Sequence, residues 1–559
     1  MERIVENINI FFLPLDDRPC SYKYILEFFN ILFKQKKVEN INFFWDFDFF
    51  KLISNNSEDT VSFIDNNINI YILSLDSFLF TNLFKSRFID SYHEYKLKIN
   101  KLVDFIKTSK NSFFYLYISI PRIILNLPDN SKENVNENQV NYDKIIELNF
   151  RLSHKLKNIF KKYQYKKFNY IQESLGQLIQ EFKLDQKYYE ILRTFLITRK
   201  NKFNLIKFLL DKLYCLKVKN GLNNFELVIS LDDSQKKSFN FLELDFFKYY
   251  IKKYLRDILD KVYFFVGLDE IHLILFAKAF LSIFNITKLD IYLLFNNKIN
   301  GRFGRYEGTS LKNILKIYYN FFKQYVNFNF IENVKIEKKF KKLNLNIDLS
   351  EVLFINLFNG RYQDESVKQV LDILNKMSTK FKIETSKISF EDFLNYFLSY
   401  LKKYFNRPNF RYNLLNDLKF ICDIEYSNGP SLKLIFFYLF NYHVLKKLNL
   451  YFSWNTLANT LGSSISFFIL YKLFNLKETK ELKEFVLGNF LEGIYQSIIR
   501  YFGKKYNWDI TKIKNSFLNI FKLFNIEDID IEYINLPWNR YFEIDIKTKY
   551  KKKQKNKKK

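Results

Sequence analysis

Cysteine, methionine, histidine and tryptophan number only three, two, four and four in this 559-residue chain, beside seven prolines and twelve glycines. Each shortage excludes something. Cys20, Cys215 and Cys422 lie far apart and form no CxxC pair, so neither a disulfide framework nor a soft-metal site is expected. The thiols should be reduced, with Cys215 and Cys422 in the core. His93, His154, His272 and His443 stand alone on helical faces, and no GxSxG, P-loop, GxGxxG or HExxH stretch occurs. GRFGRYEG at 301–308 has glycines, but in the wrong context for a dinucleotide fingerprint. Histidine-dependent hydrolysis and zinc catalysis are not expected.

Long apolar runs are missing too. None reaches about 18 residues; the nearest, LKLIFFYLFNYHVL at 432–445, is interrupted by Lys433, Asn441 and His443. The start of the chain carries Glu2 and Glu6 in place of a basic region and apolar core, so no secretory signal is read there. The expectation is a cytoplasmic protein with no membrane partner.

What is present is bulk. Hydrophobic residues make up 48% and aromatics 19% of the chain, enough for two to four folded domains. The skew towards Phe, Tyr, Ile, Asn and Lys is that of AT-rich codons. The formal charge of +28 invites a nucleic-acid partner. Its distribution argues otherwise: nine lysines fall in the last thirteen residues, KTKYKKKQKNKKK, and the rest are scattered beside Asn and Glu without a nucleic-acid-binding signature. No specific nucleic acid is expected.

Short apolar segments rich in Ile, Phe, Val and Tyr recur, each followed by a polar turn and a stretch of helical period. They are INIFFLP (8–14), INIYILSL (68–75), SFFYLYISIP (112–121), FELVISL (225–231), VYFFVG (262–267), LDIYLLF (289–295), EVLFINLF (351–358), LKFICDI (418–424) and LNLYFS (448–453). Continuous apolar runs of this length suit strands covered on both faces. The fold class is therefore α/β, with mostly parallel sheets, helices on both faces and Rossmann-like units. Between 141 and 220 the pattern is helical only, entered through the polar stretch PDNSKENVNENQVN at 128–141. The expected organisation is an α/β part over 1–140, a helical segment over 141–220, a second α/β part with flanking helices over 221–546 and a disordered Lys-rich tail over 547–559.

In open parallel sheets, ligands bind outside the carboxyl ends of the strands, where loops converge and the next helix presents free amides. At that station stand Asp16, Asp17 and Arg18, then Asp76, then Arg122, then Asp232 and Asp233, then Asp269 and Glu270. Asn356 and Asn359, Glu425, Asn428 and Gly429, and finally Trp454, Asn455, Thr456 and Asn459 follow later strands. Any one of these, such as Asp17, Asp269 or Thr456, is equally a helix N-cap. Two adjacent acids, at three of these stations, are harder to explain as caps. Arg18, Arg87, Arg122, Arg302, Arg305 and Arg361 are few among many lysines and fall in or beside these loops. Their planar fork suits carboxylates, phosphates or a neighbouring Asp.

What remains is carboxylate chemistry: a general acid and base, or oxygen ligands for Mg²⁺ or Mn²⁺. Trp454 beside Asn455 and Asn459 would suit a sugar. The leading reading is a carbohydrate-active hydrolase without a cofactor, with Asp16 or Asp17 and Asp232 or Asp233 as the catalytic pair. Arg18, Asp76, Arg87, Arg122, Asp269, Glu270, Asn428, Trp454, Asn455 and Asn459 would bind the substrate. A Mg- or Mn-dependent phosphoester hydrolase and a non-catalytic sugar- or peptide-binding protein are the alternatives. The oligomeric state is not readable.

PLDDRPC (14–20), SLDSFLFTNLFKSR (74–87), TRKNKFN (198–204), SLDD (230–233), GLDE (267–270), YEG (306–308), YSNG (426–429), SWNTLANTLGS (453–463), FLEGIYQSIIR (490–500) and LPWNRYFE (536–543) resemble, in order, the motifs of the bacterial family called domain of unknown function 4127. The resemblance implies one integrated α/β protein with a site at these motifs, and it names no reaction. The chain departs from it in two places. Thr81 and Asn82 stand where the family has a glycine pair, and Ser431 stands where it has an Asp.

Overall fold

The structure, a computed structural model, describes residues 7–16, 18, 20–45, 67–83, 85–87, 89, 92–109, 111–122, 186–234, 238–300, 307–332, 348, 351–357, 366–405, 418–424, 430–453, 456–537 and 544–551. In chain order its elements are β1 Ile8–Leu13, α1 Lys23–Lys34, β2 Ile41–Phe44, β3 Ile68–Ser74, α2 Leu75–Phe80, α3 His93–Thr108, β4 Ser112–Ile120, α4 Gln186–Asn220, β5 Phe225–Leu231, α5 Phe239–Tyr254, β6 Val262–Val266 and α6 Ile271–Ile283. There follow β7 Leu289–Phe295, α7 Leu311–Phe322, β8 Val326–Ile331, β9 Val352–Leu357, α8 Ser366–Phe381, α9 Phe390–Phe405, β10 Phe420–Ile424, α10 Leu432–Phe440, α11 Tyr442–Leu445, β11 Leu450–Phe452, α12 Leu457–Phe474, α13 Lys480–Ile494, α14 Arg500–Tyr506, α15 Ile510–Leu523, β12 Ile529–Asn535 and β13 Asp545–Tyr550. The fold is α/β.

The chain divides into two compact units. The first comprises Met1–Asp16, Glu39–Leu275 and Tyr306–Thr309, the second Asp17–Val38, Phe276–Arg305 and Ser310–Lys559. The first contains one parallel sheet in the order β2-β1-β3-β4-β5-β6. The described part of the helical segment expected over 141–220 is α4. Strand β4 before it and β5 after it are hydrogen-bonded neighbours, and α4 lies in the crossover between them.

Register in this sheet is written into side chains. Three strands open on Ile-Asn, and pairing sets Asn9 opposite both Asn42 and Asn69. Asn42 Nδ2 donates to Asn9 Oδ1, and Asn9 Nδ2 to Asn69 Oδ1, each at 3.0 Å. Two residues further along, Phe44, Phe11, Tyr71 and Phe114 stack across four strands, with centroids 5.0, 4.8 and 4.6 Å apart. A one-residue slip would break both ladders and turn the buried faces over.

The second unit contains a parallel sheet, β11-β10-β9-β7-β8. Counting its strands from β7, this is the same second-first-third-fourth-fifth order as in the first unit. Its central helix, α12, is buried around most of its circumference, polar Asn459, Thr460, Ser463, Ser464 and Ser466 included. Among the described residues α12 is the one helix long and apolar enough to cross a membrane by length and composition, and 83% of it is buried within the protein.

The Lys-rich stretch expected to be a tail from 547 begins inside a strand. β13 pairs antiparallel with β12, because Ile546 and Thr548 alternate inward between lysines whose charges meet Glu532 and Asp530. Residues 552–559 lie outside the described residues. Cys20 and Cys422 are buried, while Cys215 is only half-buried, short of the expected core position.

Thr81 ends α2 in the left-handed region, at φ 74°, with its N–H donating to Ser77 O at 2.8 Å. A β-branched residue there costs about 1–2 kcal/mol, and the glycine of the resembled family would not. Thr81 is exposed, so little packing is lost on replacement. Thr81→Gly is expected to raise stability by about 1 kcal/mol after the glycine's extra chain entropy is deducted. Urea unfolding reads this as a higher midpoint at an unchanged slope.

Candidate functional site

Doubly wound sheets bind ligands where strand order reverses, here between β1 and β3 in the first unit. The loop leaving β1 ends in Asp16, which is buried. Ser77 Oγ, in the first turn of α2, lies 2.6 Å from both the Pro14 and Leu15 carbonyls and fixes that loop against the end of β3. Asp17 lies outside the described residues. Arg18 is buried and belongs to the second unit, where its carbonyl accepts the Ser21 N–H.

Asp76 is fully buried and engaged on several sides. Its carboxylate accepts the Ser119 N–H at 2.8 Å and the Ser119 hydroxyl at 3.0 Å, and pairs with the equally buried Lys202 ammonium. Lys202 also lies over the Phe80 ring. One turn earlier on α4, Arg199 holds Glu243 in a buried, bidentate pair and donates to the Pro121 carbonyl at 2.9 Å. Burial pushes the Glu243 carboxyl up, with the guanidinium pulling the other way. Thr198 Oγ1 accepts the Ile89 N–H, and Asn201 donates to the Ile89 carbonyl. The TRKNKFN stretch thus locks the carboxyl edge of the sheet from the helix side. Its residue types were the available signal, but charges at helical spacing read as a solvated face. Arg87 closes a single 3₁₀ turn, Lys85–Arg87.

The acids after β5 and β6 share one neighbourhood. Gly267, at φ 109°, a conformation reserved for glycine, lets the chain turn directly out of β6. Its N–H donates to Leu231 O at 3.2 Å, and its carbonyl accepts the Ser230 hydroxyl. The loop bearing half-buried Asp269 and buried Glu270 is therefore tied to the end of β5, which leads into Asp232 and Asp233. Ser234 bridges to Glu307, its hydroxyl donating to the Glu307 carbonyl at 3.2 Å, and so brings the YEG stretch to the same place. Asp232 is buried, its N–H donating to Ile120 O and its carbonyl accepting Asn240. Asp233 is more open: Arg122 Nη1 meets its Oδ2 at 3.1 Å, with the side chains 21% and 37% exposed. Among the described residues, the shielded Arg122 Nε finds no acceptor. Nor does any group of three or more His, Cys, Asp or Glu among them converge as a metal site would require.

In the second unit the reversal lies between β7 and β9. Amides close it. Asn296 Nδ2 donates to Asn356 Oδ1 at 2.6 Å, and Asn356 Nδ2 donates to Asp423 Oδ1 at 2.7 Å. Tyr438 completes the row by donating to Asp423 Oδ2 at 2.8 Å. Burial pushes the Asp423 carboxyl up to about 7 against these hydrogen bonds. Asn459 is buried in the first turn of α12, where Tyr318 donates to the neighbouring Ala458 carbonyl. Asn428, Trp454 and Asn455 lie outside the described residues. Ser431 caps α10, accepting the Leu434 N–H at 3.3 Å, a task that an Asp performs equally well.

Glu492 and the turn after it carry a signal the strand-end argument could not see. Burial pushes the Glu492 carboxyl up to about 7, opposed by Lys23 at 3.5 Å and by the Tyr24 hydroxyl that donates to it. Residues Tyr495–Ile499 form a π-turn within the run of α13 and α14. There Ser497 donates to Pro430 O, and Gly493 lets Pro430 approach; a Cβ would sit 3.2 Å from its ring.

A family model described as "Protein of unknown function (DUF4127)" matches residues 10–322 and 412–547, leaving 323–411 between the two stretches. No curated protein and no solved structure matches the chain.

The Asp423 proton gives a pH test. In the folded chain it is held until about pH 7, whereas the unfolded chain releases it near the ordinary value of 3.8. Its stabilisation is thus full below that ordinary value and is lost as pH rises through 7. Asp423→Asn keeps an oxygen for Asn356 and cannot ionise. Relative to the parent it should gain roughly 3 kcal/mol between pH 5 and pH 8, each tenfold difference in proton affinity between the folded and unfolded chain being worth about 1.4 kcal/mol. Urea unfolding of both proteins at the two pH values measures the difference.

Proposed function

The chain belongs to the DUF4127 family, and from that premise and the chemistry of its strand ends we infer that the first unit hydrolyses a glycosidic bond in a carbohydrate. The observation that carries this reading is the Arg122–Asp233 pair, half-open at 3.1 Å with an unmet guanidinium N–H among the described residues. A donor and an acceptor held side by side match the paired hydroxyls of a sugar, each of which both gives and takes a hydrogen bond. A sugar, rather than nucleic acid or a membrane, is the partner in this reading.

Strand order favours a different catalytic pair within this reading. β1 and β5 are three strand spacings apart, roughly 14 Å. Inverting glycosidases hold their carboxyls about 6.5–9.5 Å apart and retaining ones about 5 Å. Asp16 with Asp232 or Asp233 therefore fits poorly. β5 and β6 are adjacent, and the loop after β6 is tied to β5 by Gly267 and Ser230. Asp233 acts as base or nucleophile, oriented by Arg122, and Asp269 as the acid. Asp16, at the reversal of strand order, contacts the ligand. Asp76 positions β4 and α4.

Purified protein assayed on aryl glycosides and aryl phosphates, each with and without Mg²⁺ or Mn²⁺, tests this. Glycoside turnover without metal is expected, falling about 10²–10⁴-fold in Asp233→Asn and in Asp269→Asn. Metal-dependent phosphate turnover would transfer the acids to metal binding. Saturable sugar binding with no turnover of any substrate would make the protein a binding module.

A further inference from the structure

The second unit holds a cavity of about 380 Å³ that no strand-end argument reaches. Two helices face each other across it with matching stripes. α1 contributes Glu27, Asn30, Ile31 and Lys34, and α13 contributes Glu481, Glu484, Phe485 and Gly488, each at i, i+3, i+4 and i+7. Ile546, Lys547 and Thr548 of β13 join the lining; the Lys547 charge acts on Glu27, but its 65% exposed side chain reaches out to Glu532, 3.6 Å away. Each stripe runs about 10 Å along its helix.

The charges within it are unevenly matched. Lys34 and Glu481 pair at 3.2 Å and close one end. Glu484 accepts the Tyr550 N–H at 3.0 Å and lies 3.4 Å from Lys480. Glu27 is different. Its nearest cation, Lys23 Nζ, is 3.9 Å away and sits closer to Ile546 O at 2.6 Å, Asp545 at 2.8 Å and Glu492 at 3.5 Å. Among the described residues no donor hydrogen-bonds the Glu27 carboxylate, although its side chain is only 34% exposed. Beside this carboxylate the floor is apolar, made by Ile31, Phe485 and Ile546.

Gly488 supplies a second, independent observation. Glycine inside a helix is destabilising, and neighbours that crowd a Cβ are the usual reason for it. Here a Cβ would meet only Ile546 O, at 3.9 Å. No steric demand explains this glycine, and any longer side chain at 488 would project into the cavity.

We propose that this groove binds a small aliphatic amine, its ammonium on Glu27 and its hydrocarbon body along Ile31, Phe485 and the space left by Gly488. Calorimetric titration of the full chain with pentylamine, and with pentan-1-ol as the uncharged isostere, tests it. Pentylamine should bind saturably, at least tenfold more tightly than the alcohol. Glu27→Gln should weaken it at least tenfold, Gly488→Leu should abolish it, and Gly488→Ala should leave it in place. Circular dichroism and an unchanged Tm establish that each variant is folded; should Gly488→Leu fail that check, Glu27→Gln and the alcohol decide. Equal affinity for amine and alcohol, no saturable binding, or full binding by a folded Gly488→Leu would overturn the proposal.

Discussion

Lys202 and Asp76 meet where neither is accessible to water, and the carboxyl edge of the first sheet depends on that pair. Asp76 belongs to α2, which follows β3; Ser119 belongs to β4; Lys202 belongs to α4. One carboxylate therefore joins three elements far apart in sequence. Removing either charge would strand the other in a low-dielectric interior, typically at about 3–5 kcal/mol. Arg199 and Glu243 repeat the device one turn away and attach α5 to the same edge. With this layer fixed, the outer pair, Arg122 and Asp233, is held at the margin of solvent on a rigid base.

The two units share a strand order but treat the reversal point differently. In the first, a serine hydroxyl pins the loop after β1, and charged side chains gather along the edge. In the second, Asn296, Asn356 and Asp423 bond one another across the reversal, so its polar groups satisfy each other. A closed row of amides and a buried acid rigidifies; a half-open ion pair can still receive a ligand. That contrast is why the catalytic reading rests on the first unit and the amine-binding reading on a separate groove of the second.

Nine strands were legible as apolar runs: seven are central in their parallel sheets and covered on both faces, and β6 and β11 are apolar although they lie at the edges. β2 and β8 were not: INFF is only four residues long, and VNFNFI alternates Asn with Phe in the manner of an edge strand with one wet face. The Lys-rich end misled similarly: Ile546 and Thr548 carry a period-two pattern that the lysines on the other face obscure. Among candidate site residues, Asp16, Asp232 and Glu270 are buried at the expected station, and Arg122 with Asp233 was foreseeable as an Asp–Arg pair. Lys202, Glu243 and Glu492 were not, because a charge on a helix gives no sign in one dimension of whether its face is packed.

The sequence by itself determined the fold class, the strand positions and the order in which polar loops follow them, all of which are local properties of period and composition. Only the tertiary structure decided which strands are neighbours and hence which carboxylates leave adjacent strands. Asp233 and Asp269 issue from adjacent strands, while Asp16 leaves a strand three positions away. Strand order arises from crossover connections and core packing summed over the whole unit, and no short stretch of residues encodes that sum.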